Sequence, residues 1–540
     1  MSGTLRSARE LPDRLTCDVV IVGYGPVGIG CAALLAQHGL DVVVVERWPE
    51  RYHLPRAGHF DGEIMRTVFQ RLGVAKQIEL VARSVLSVDT VTPDNQVLQS
   101  MTLRNDGSSW KSDYLSYQPE YEAIVDARAA ELGVRVYMGV TARELEQTAD
   151  AVRLSVSPGD AADGVTSVIE AAFVIGADGA NSFVREAIGG VKRDLGFKRV
   201  DNLVVDFEHN DPDRDVPLLG EVRHIADPSR PTHVGRWGGG RWSRLEFALL
   251  DGETREVMES DDTVWGLIGK YGLTPEMGTV IRRVVYTFES SITEPWQNRR
   301  AFVMGDAAHT MPPYLGQGMC SGLRDAVNLS WKIAAVLAGQ ADMALLQTYE
   351  SERRPHVVDL IGQACFIGEM MQVTDPEMVR QRDEMLRATQ GMEMPFPRLG
   401  EGLLRKIGHA NGTASDGRPS LQGRVIWNGQ VDRLDDFLQP GWKLITRHAV
   451  PDASLSARQK AVLAALPMEI IHVSRGSGDH FIDLDAEYDL WFRTTGRKAF
   501  VVRPDSHVFG SVRTIEEVPG LIDDLAEALS NRGWRLLPAQ

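Results

Sequence analysis

The chain has 540 residues, room for roughly three domains at ~100–200 residues each, which excludes a lone binding module or a disulfide-stapled mini-protein. At 43% hydrophobic and 24% charged it reads as a globular protein. Its 58 Lys+Arg against 74 Asp+Glu leave −16, a field that repels phosphate backbones and anionic membranes and so excludes nucleic-acid binding as the expected function. No apolar run reaches the ~18–20 residues of a membrane span, and the first residues lack the apolar centre of a secretory signal. Cys17, Cys31, Cys320 and Cys365 show no metal-ligand spacing. Free thiols, a reducing cytoplasmic compartment and no metal follow as expectations.

Residues 1–16 read as a flexible arm. The run CDVVIVG from Cys17 predicts a buried strand, PVGIGCAALLAQHG a helix and DVVVVE a second strand, together a βαβ unit. AAFVIGADG at 171–179 and AFVMGDAAH at 301–309 predict two further strands of the same sheet. Between them, alternating runs such as NLVVDFEH, SRLEFALL and RVVYTFESS predict an antiparallel sheet with one face covered, inserted into the first domain. The segment from Met319 predicts a long helix ending near Gly339, and residues 346–410 continue helical. The Gly/Ser-rich stretch 411–420 reads as a linker. Short strands and a final helix over 421–540 make a fresh domain.

Gly23-Tyr24-Gly25-Pro26-Val27-Gly28 fits G-x-G-x-x-G at a strand-to-helix turn. The first glycine permits the turn, the second lets backbone approach a pyrophosphate and the third allows close helix–strand packing, with the anion at the positive helix end. Glu46 ends the next strand, 46 − 28 = 18 residues on, where a carboxylate accepts from both ribose hydroxyls. An acid there points to FAD or NAD rather than NADP, and the motif alone does not separate those two.

Gly176-Ala177-Asp178-Gly179 and Gly305-Asp306-Ala307-Ala308-His309, in this order after the first motif, resemble the fingerprints of the class A FAD-dependent aromatic hydroxylases of the para-hydroxybenzoate hydroxylase fold. Pro312-Pro313, Gly316-Gln317-Gly318-Met319, the run Arg324–Lys332, Glu350–Pro355, Arg433–Asp436 and Arg503-Pro504-Asp505 are similar to the phenol and 3-(3-hydroxyphenyl)propionate hydroxylase branch. The resemblance runs from Cys17 nearly to the end. It implies an α/β fold with a Rossmann-like FAD-binding domain (17–85, 118–190 and 295–345), an inserted antiparallel substrate sheet (86–117 and 191–294) and a thioredoxin-like C-terminal domain. None of the four cysteines lies beyond Cys365, so a dithiol role for that domain is excluded.

The resemblance also implies roles. Asp306, with Gly305, would accept from the FAD ribitol, while Pro313, Gly316, Gly318 and Met319 would present backbone to the flavin ring. Asp178 would stand at the pyrophosphate and nicotinamide path, or act as a loop cap. Arg47 would lie near the AMP half, and Arg56 and Gln118 along the ribityl-pyrophosphate chain. Asp61 matches the aspartate that phenol hydroxylases set against the substrate hydroxyl. A helix N-cap is the competing reading for it. His309 reads as a hydrogen-bonded core histidine, and the cluster His233, Arg236, Trp237, Arg241 and Trp242 as a solvated strand turn. His224 and Tyr286 are candidate substrate contacts.

The activity implied is that of a monooxygenase. NADH or NADPH reduces FAD, O₂ gives a flavin hydroperoxide, and one oxygen passes to a phenolic or other activated ring. Hydroxylation, epoxidation or ring oxidation of a polycyclic product is the alternative, followed by a non-catalytic FAD-binding protein. A flavin-dependent halogenase would carry W-x-W-x-I-P, which is missing from the sequence. The expected partner is a small aromatic substrate, and the expected assembly a homodimer.

Overall fold

The run Val19–Ile21 and its neighbour Val42–Val45 are apolar on both faces, so they are stable only when covered from both sides. In the computed structural model they form the centre of a mostly parallel sheet. The structure describes all residues except 1–4, 8, 9, 55, 103–106, 160–166, 220, 221, 392–394, 406–415, 477 and 537–540. The strand order is Leu5–Ser7, Arg135–Met138, Val42–Glu46, Arg14–Val22, Ser167–Gly176, Val152–Pro158 and Val140–Gln147. Ala301–Val303 joins by pairing parallel with residues 174–176. Of the two later glycine-terminated strands, Ser167–Gly176 thus lies beside the first and Ala301–Val303 beside Ser167–Gly176, in one sheet. The arm is corrected in part. Leu5–Ser7 pairs with Arg135–Met138, and residues 14–16 continue the first strand against 168–170, because backbone laid along a sheet edge satisfies its polar groups there.

Helix Pro26–Gln37 covers this sheet and packs against helices Gly318–Leu337 and Gln118–Glu131. Gly30 and Gly322 allow the close contact with the long helix, since a Cβ on Gly322 would meet Val27 Cγ2 at 2.5 Å and one on Gly30 would meet Leu323 at 2.6 Å.

The inserted sheet runs Gly278–Phe288, Val200–His209, Trp242–Ala248, Thr232–Trp237, Val222–Ile225, Ser87–Val91 and Val97–Thr102. It is antiparallel except where Val222–Ile225 pairs parallel with Ser87–Val91. Leu203, Val205, Phe207, Leu245 and Phe247 alternate onto one face and are buried with residues of helix Asp261–Ile268. The opposite face turns toward the first domain. There Trp237 packs on Gly58, and Arg244 Nη1 donates to the Arg56 carbonyl at 2.7 Å.

The C-terminal strands Glu469–Ser474, Lys443–Thr446, Ala499–Val502 and Val508–Val512 are adjacent in that order, the first pair parallel and the others antiparallel. Helices Ala457–Ala465, Glu487–Thr495 and Val518–Ser530 complete a thioredoxin-like layout. Ionic contacts dock it. Arg66 Nε pairs with Asp435 at 2.7 Å, and Arg503 pairs with Glu352 of helix Thr348–Met371 at 2.7 Å. Residues 411–415 of the linker 411–420 lie outside the described residues. Among the described residues, no helix is long and apolar enough to cross a membrane.

Candidate active site

The glycine motif adopts the expected turn. Gly23 has φ +102°, and a Cβ there would strike the Ala177 carbonyl, while a Cβ on Gly28 would strike the Gly23 carbonyl. Gly25 differs: a Cβ there would meet no atom within 4 Å, and the helix that begins at Pro26 has no side-chain cap. Its first-turn N–H groups and positive end therefore face an open cradle suited to a pyrophosphate. Glu46 borders the cradle, held by the main-chain N–H of Tyr24 (2.8 Å) and of Trp48 (3.0 Å). Arg47 is exposed and lies 5.3 Å from the Trp48 ring.

Asp178 follows the second fingerprint strand, and its Cα would lie 2.8 Å from a Gly23 Cβ. One oxygen accepts from Val184 N at 3.2 Å, as a loop carboxylate beside the helix that Ser182 caps, and the other is buried without a partner. Burial raises its pKa.

The third fingerprint lies where two helices touch. A Cβ on Gly305 would meet Val27 of the first helix at 3.2 Å. Gly305 N donates to Asp325 Oδ2 of the long helix at 3.1 Å, and His309 Nε2 bonds the same oxygen at 2.8 Å. His309 is a core histidine, as expected. Asp306, in the turn Gly305–Ala307, is exposed. Desolvation by the surrounding protein raises its pKa, opposed by His309, Arg56 and Lys192. Gln118 Oε1 holds the Arg56 segment, accepting from the N–H of Arg56 and Ala57 at 2.8 Å each.

Pro313 opens a short turn, Pro313–Leu315, and Gly316 follows at φ +65° because a Cβ would lie 2.8 Å from the His59 ring. Helix Gly318–Leu337 then starts without a side-chain cap, and Gly318 would place a Cβ near only Met311 Cγ, at 3.8 Å. Met319 is fixed from behind, its sulfur accepting from the Tyr121 hydroxyl at 2.6 Å. His59 Nδ1 bonds the Gly316 carbonyl at 3.0 Å, and its Nε2 pairs with Asp113. Burial alone would lower the His59 pKa, but the hydrogen bonds to Asp113 and Cys320 raise it well above the usual value.

Asp61 takes the geometry of the helix-cap reading. Its Oδ1 accepts from Ile64 N at 3.0 Å as the N-cap of the turn Gly62–Ile64, and its Oδ2 accepts from Gln317 Nε2 at 3.0 Å and pairs with Arg324. Burial favours its neutral form, yet Arg324 and His59 hold its pKa below the ordinary carboxylate value. A carboxylate so engaged, with both oxygens occupied, is a poor proton acceptor. Arg324 was not singled out from the sequence, since its partners Asp61 and Glu63 lie some 260 residues away and no local pattern joins them.

On the inserted sheet, cross-strand pairing puts Asp206, Arg244, Glu246, Arg282 and Tyr286 on the face opposite the apolar core. Tyr286 lies under Arg282, 4.9 Å from its guanidinium, and Arg244 and Arg282 flank the buried Asp206. His224 is 4% exposed and pairs with His233. The expected solvated turn around Gly238–Gly240 is corrected in part, since only Gly239 and Arg241 of it are exposed. Trp237 and Trp242 are buried, Arg236 is tied to three main-chain carbonyls at 2.7 Å each, and Trp242 stacks on Tyr117 at 4.1 Å. The cause is that this turn abuts the first domain rather than water. Among the described residues, no group of three or more His, Cys, Asp or Glu could hold a metal ion.

A flavin-binding fold with an inserted sheet facing its cleft defines a class, and comparison with known proteins places the chain in it. The chain belongs to the FAD binding domain family, which matches residues 16–364, and an HcaD C-terminal domain matches residues 417–528. It is 36% identical over 528 residues to a probable NADH-specific resorcinol 4-hydroxylase of Rhodococcus jostii (strain RHA1), covering 96% of each chain. It is 32% identical over 524 residues to a 3-(3-hydroxy-phenyl)propionate/3-hydroxycinnamic acid hydroxylase of Mycobacterium sp. (strain KMS), covering 92% of this chain and 88% of the relative. Among solved structures, the flavin-dependent monooxygenase PieE with FAD and substrate superposes with TM-score 0.76 at 20% identity, covering 96% and 99% of the two chains. Aklavinone-11 hydroxylase with FAD and aklavinone gives 0.75 at 22%, covering 95% and 99%. The protein is an FAD-dependent monooxygenase of the aromatic hydroxylase class.

Proposed function

We propose that this enzyme hydroxylates a phenolic ring, using NADH as reductant and O₂ as co-substrate, and that FAD lies along the cleft from Glu46 to Met319. The observation that carries the reading is the approach of two uncapped helices, through Val27 of the one and Gly322 of the other, to Gly305 of the Gly305–Asp306 turn. The relatives named above, one for resorcinol and one for a hydroxyphenylpropionate, support a phenolic substrate, and the NADH-specific relative supports the choice of reductant.

In this reading Glu46 accepts from the adenosine ribose, and Gly23, Gly25, Pro26 and Gly28 present main chain to the pyrophosphate, with Arg47 toward the AMP half. Asp178 faces the pyrophosphate path with its unpartnered oxygen. Asp306 accepts from the ribityl chain, and Gln118 holds Arg56 against it. Pro313, Gly316, Gly318 and Met319 form the wall for the flavin ring, where main-chain N–H groups at the helix end favour negative charge. Reduced FAD supplies the activated oxygen. The chain's residues orient the ring, exclude water and place the phenol on the polar sheet face with His224 and Tyr286. The discontinuous division 17–85, 118–190 and 295–345 against 86–117 and 191–294 belongs to the same proposal.

The four free thiols support a cytoplasmic setting, and the homodimer is checked by light scattering of the holoenzyme. The activity test is direct. The purified protein is expected to carry FAD, to oxidise NADH faster with resorcinol or 3-(3-hydroxyphenyl)propionate, and to yield a product one oxygen heavier. Absence of bound flavin, or of stimulation by any phenol, overturns the reading.

A further inference from the structure

His59 lies on the short strand His59–Asp61, which pairs antiparallel with Asp113–Ser116. Its direct partner there is Leu115, so Asp113, two residues earlier, is its diagonal neighbour on the same face. The ring spans two elements. Nε2 pairs with Asp113, and Nδ1 meets the Gly316 carbonyl at 3.0 Å. The main chain of His59 is held as well, its carbonyl accepting from Cys320 Sγ at 3.6 Å. Glycine at 316 is what admits the ring, since a Cβ there would lie 2.8 Å from His59 Cγ.

Each ring nitrogen thus faces an oxygen that accepts, a main-chain carbonyl on one side and a carboxylate on the other, so both nitrogens carry a proton and the ring is an imidazolium. Burial opposes that charge, yet the hydrogen bonds to Asp113 and Cys320 hold the His59 pKa well above its usual value. The ion pair is directional. Its negative end, Asp113, lies beyond Nε2, and its positive end rests on the Gly316 carbonyl. That carbonyl belongs to the Gly316–Gln317 peptide, whose other side is fixed through the Gln317 side chain: Nε2 donates to Asp61 at 3.0 Å and Oε1 accepts from Arg324 Nη1 at 2.8 Å. The main-chain N–H groups of Gln317, Gly318 and Met319 have no hydrogen-bond partner among the described residues.

A hydrogen bond to a peptide's carbonyl polarises the amide and strengthens its N–H as a donor, the more so in a low-dielectric interior. We propose, resting on the placement of the flavin ring at Pro313–Met319 above, that the Asp113–His59 pair acts through the Gly316–Gln317 peptide to favour the negatively charged reduced flavin over the oxidised one, with His59 as a positioning residue. Asp113 keeps the imidazolium charged, the imidazolium holds and polarises the peptide, and the N–H groups of the turn present that field to the ring. The helix end alone contributes only partial charge. Asp61 and Glu63 outnumber Arg324 behind the same turn, a balance that disfavours further negative charge, and His59 counters it at Gly316.

The test measures the reduction potential of bound FAD at pH 7 and pH 5.5 in His59→Gln, Asp113→Asn and Asp113→Glu holoenzymes, together with the flavin retained after dialysis. All three are expected to retain oxidised FAD. In the first two, affinity for reduced relative to oxidised FAD falls about tenfold at pH 7, read as a potential about 30 mV more negative, while Asp113→Glu keeps the charge and stays within about threefold of the unsubstituted enzyme. At pH 5.5, below the ordinary His pKa of about 6.5, His59 is protonated without its carboxylate. Asp113→Asn then recovers toward the unsubstituted potential at that pH, and His59→Gln does not. Potentials unchanged in both neutral variants overturn the proposal and leave the FAD reading intact. Flavin lost from both, or an Asp113→Asn deficit that is the same at the two pH values, assigns the pair to holding the turn and also overturns it. An unsubstituted protein that binds no flavin overturns both.

Discussion

Asp61 sits in a motif that resembles a catalytic one, and local pattern left two readings for it, base or helix cap. The structure adds a third element, the Arg324 guanidinium, which with Gln317 and the Ile64 N–H occupies both carboxylate oxygens. Removing one member of a buried ion pair leaves the other uncompensated, at a cost of about 3–5 kcal/mol. Asp61→Asn is therefore expected to lower the thermal midpoint clearly while hydroxylation per folded, FAD-loaded molecule keeps the wild-type pH profile. A profile displaced in this variant would restore Asp61 as the base. Glu46 shows the opposite case: its spacing from Gly28 was legible because strand, turn and strand are consecutive in sequence, and the structure places it at the glycine turn.

At the scale of elements, helix Gln118–Glu131 acts as a clip on the Arg56 segment. Gln118 accepts from two main-chain N–H groups, and its amide in turn donates to Glu122, one helical turn on, at 2.6 Å. Glu122 is 5% exposed, and burial pushes its pKa up from 4.5 to about 7. The folded state then binds this proton more tightly than the unfolded one. Its contribution is full below pH ~4.5, is lost as pH rises to about 7 and is flat above, with a span on the order of 3 kcal/mol at most. Urea midpoints at pH 5 and 8 check this: wild type is expected to lose stability relative to Glu122→Gln across the interval. Equal losses would show that Glu122 does not titrate there. The strand–turn–helix elements around this clip were readable from periodicity, but not the clip itself, because an i, i+4 pair has no address until the Arg56 segment is folded against it.

At the scale of the whole molecule, the C-terminal domain is tied to the first by charges that never meet water. Arg503 bonds Glu352 and Asp505 at 2.7 and 2.6 Å, Lys332 Nζ bonds Glu352 at 2.8 Å, and Asn328 bonds Asp505 at 3.2 Å. Through His507, 3.8 Å from Glu63, this network reaches Arg324 and Asp61. Without cysteines the domain does no dithiol chemistry, and its contacts brace the helices Gly318–Leu337 and Thr348–Met371. Arg503→Met is expected to destabilise by about 3–5 kcal/mol and to be partly rescued by adding Glu352→Gln, since the second change removes the carboxylate left unpaired. Additive losses in the double variant, measured by calorimetry, would show that the two residues act independently.

What the sequence by itself determined was the glycine cradle, the acid after it, the later Asp178 and Asp306 turns, the inserted sheet and the redox-inert C-terminal domain. Each of these is written in a few consecutive residues, where glycine sterics and apolar periodicity act locally. Only the tertiary structure decided that Arg324 and Gln317 engage Asp61, that the Trp237 and Trp242 turn is packed rather than solvated, and that Asp113 and the Gly316 carbonyl share the His59 ring. Such outcomes depend on strand register and domain docking, which bring residues from distant strands and helices within hydrogen-bonding range. In a low-dielectric cleft those neighbours, rather than residue type alone, set which carboxylate holds a charge and which one takes a proton.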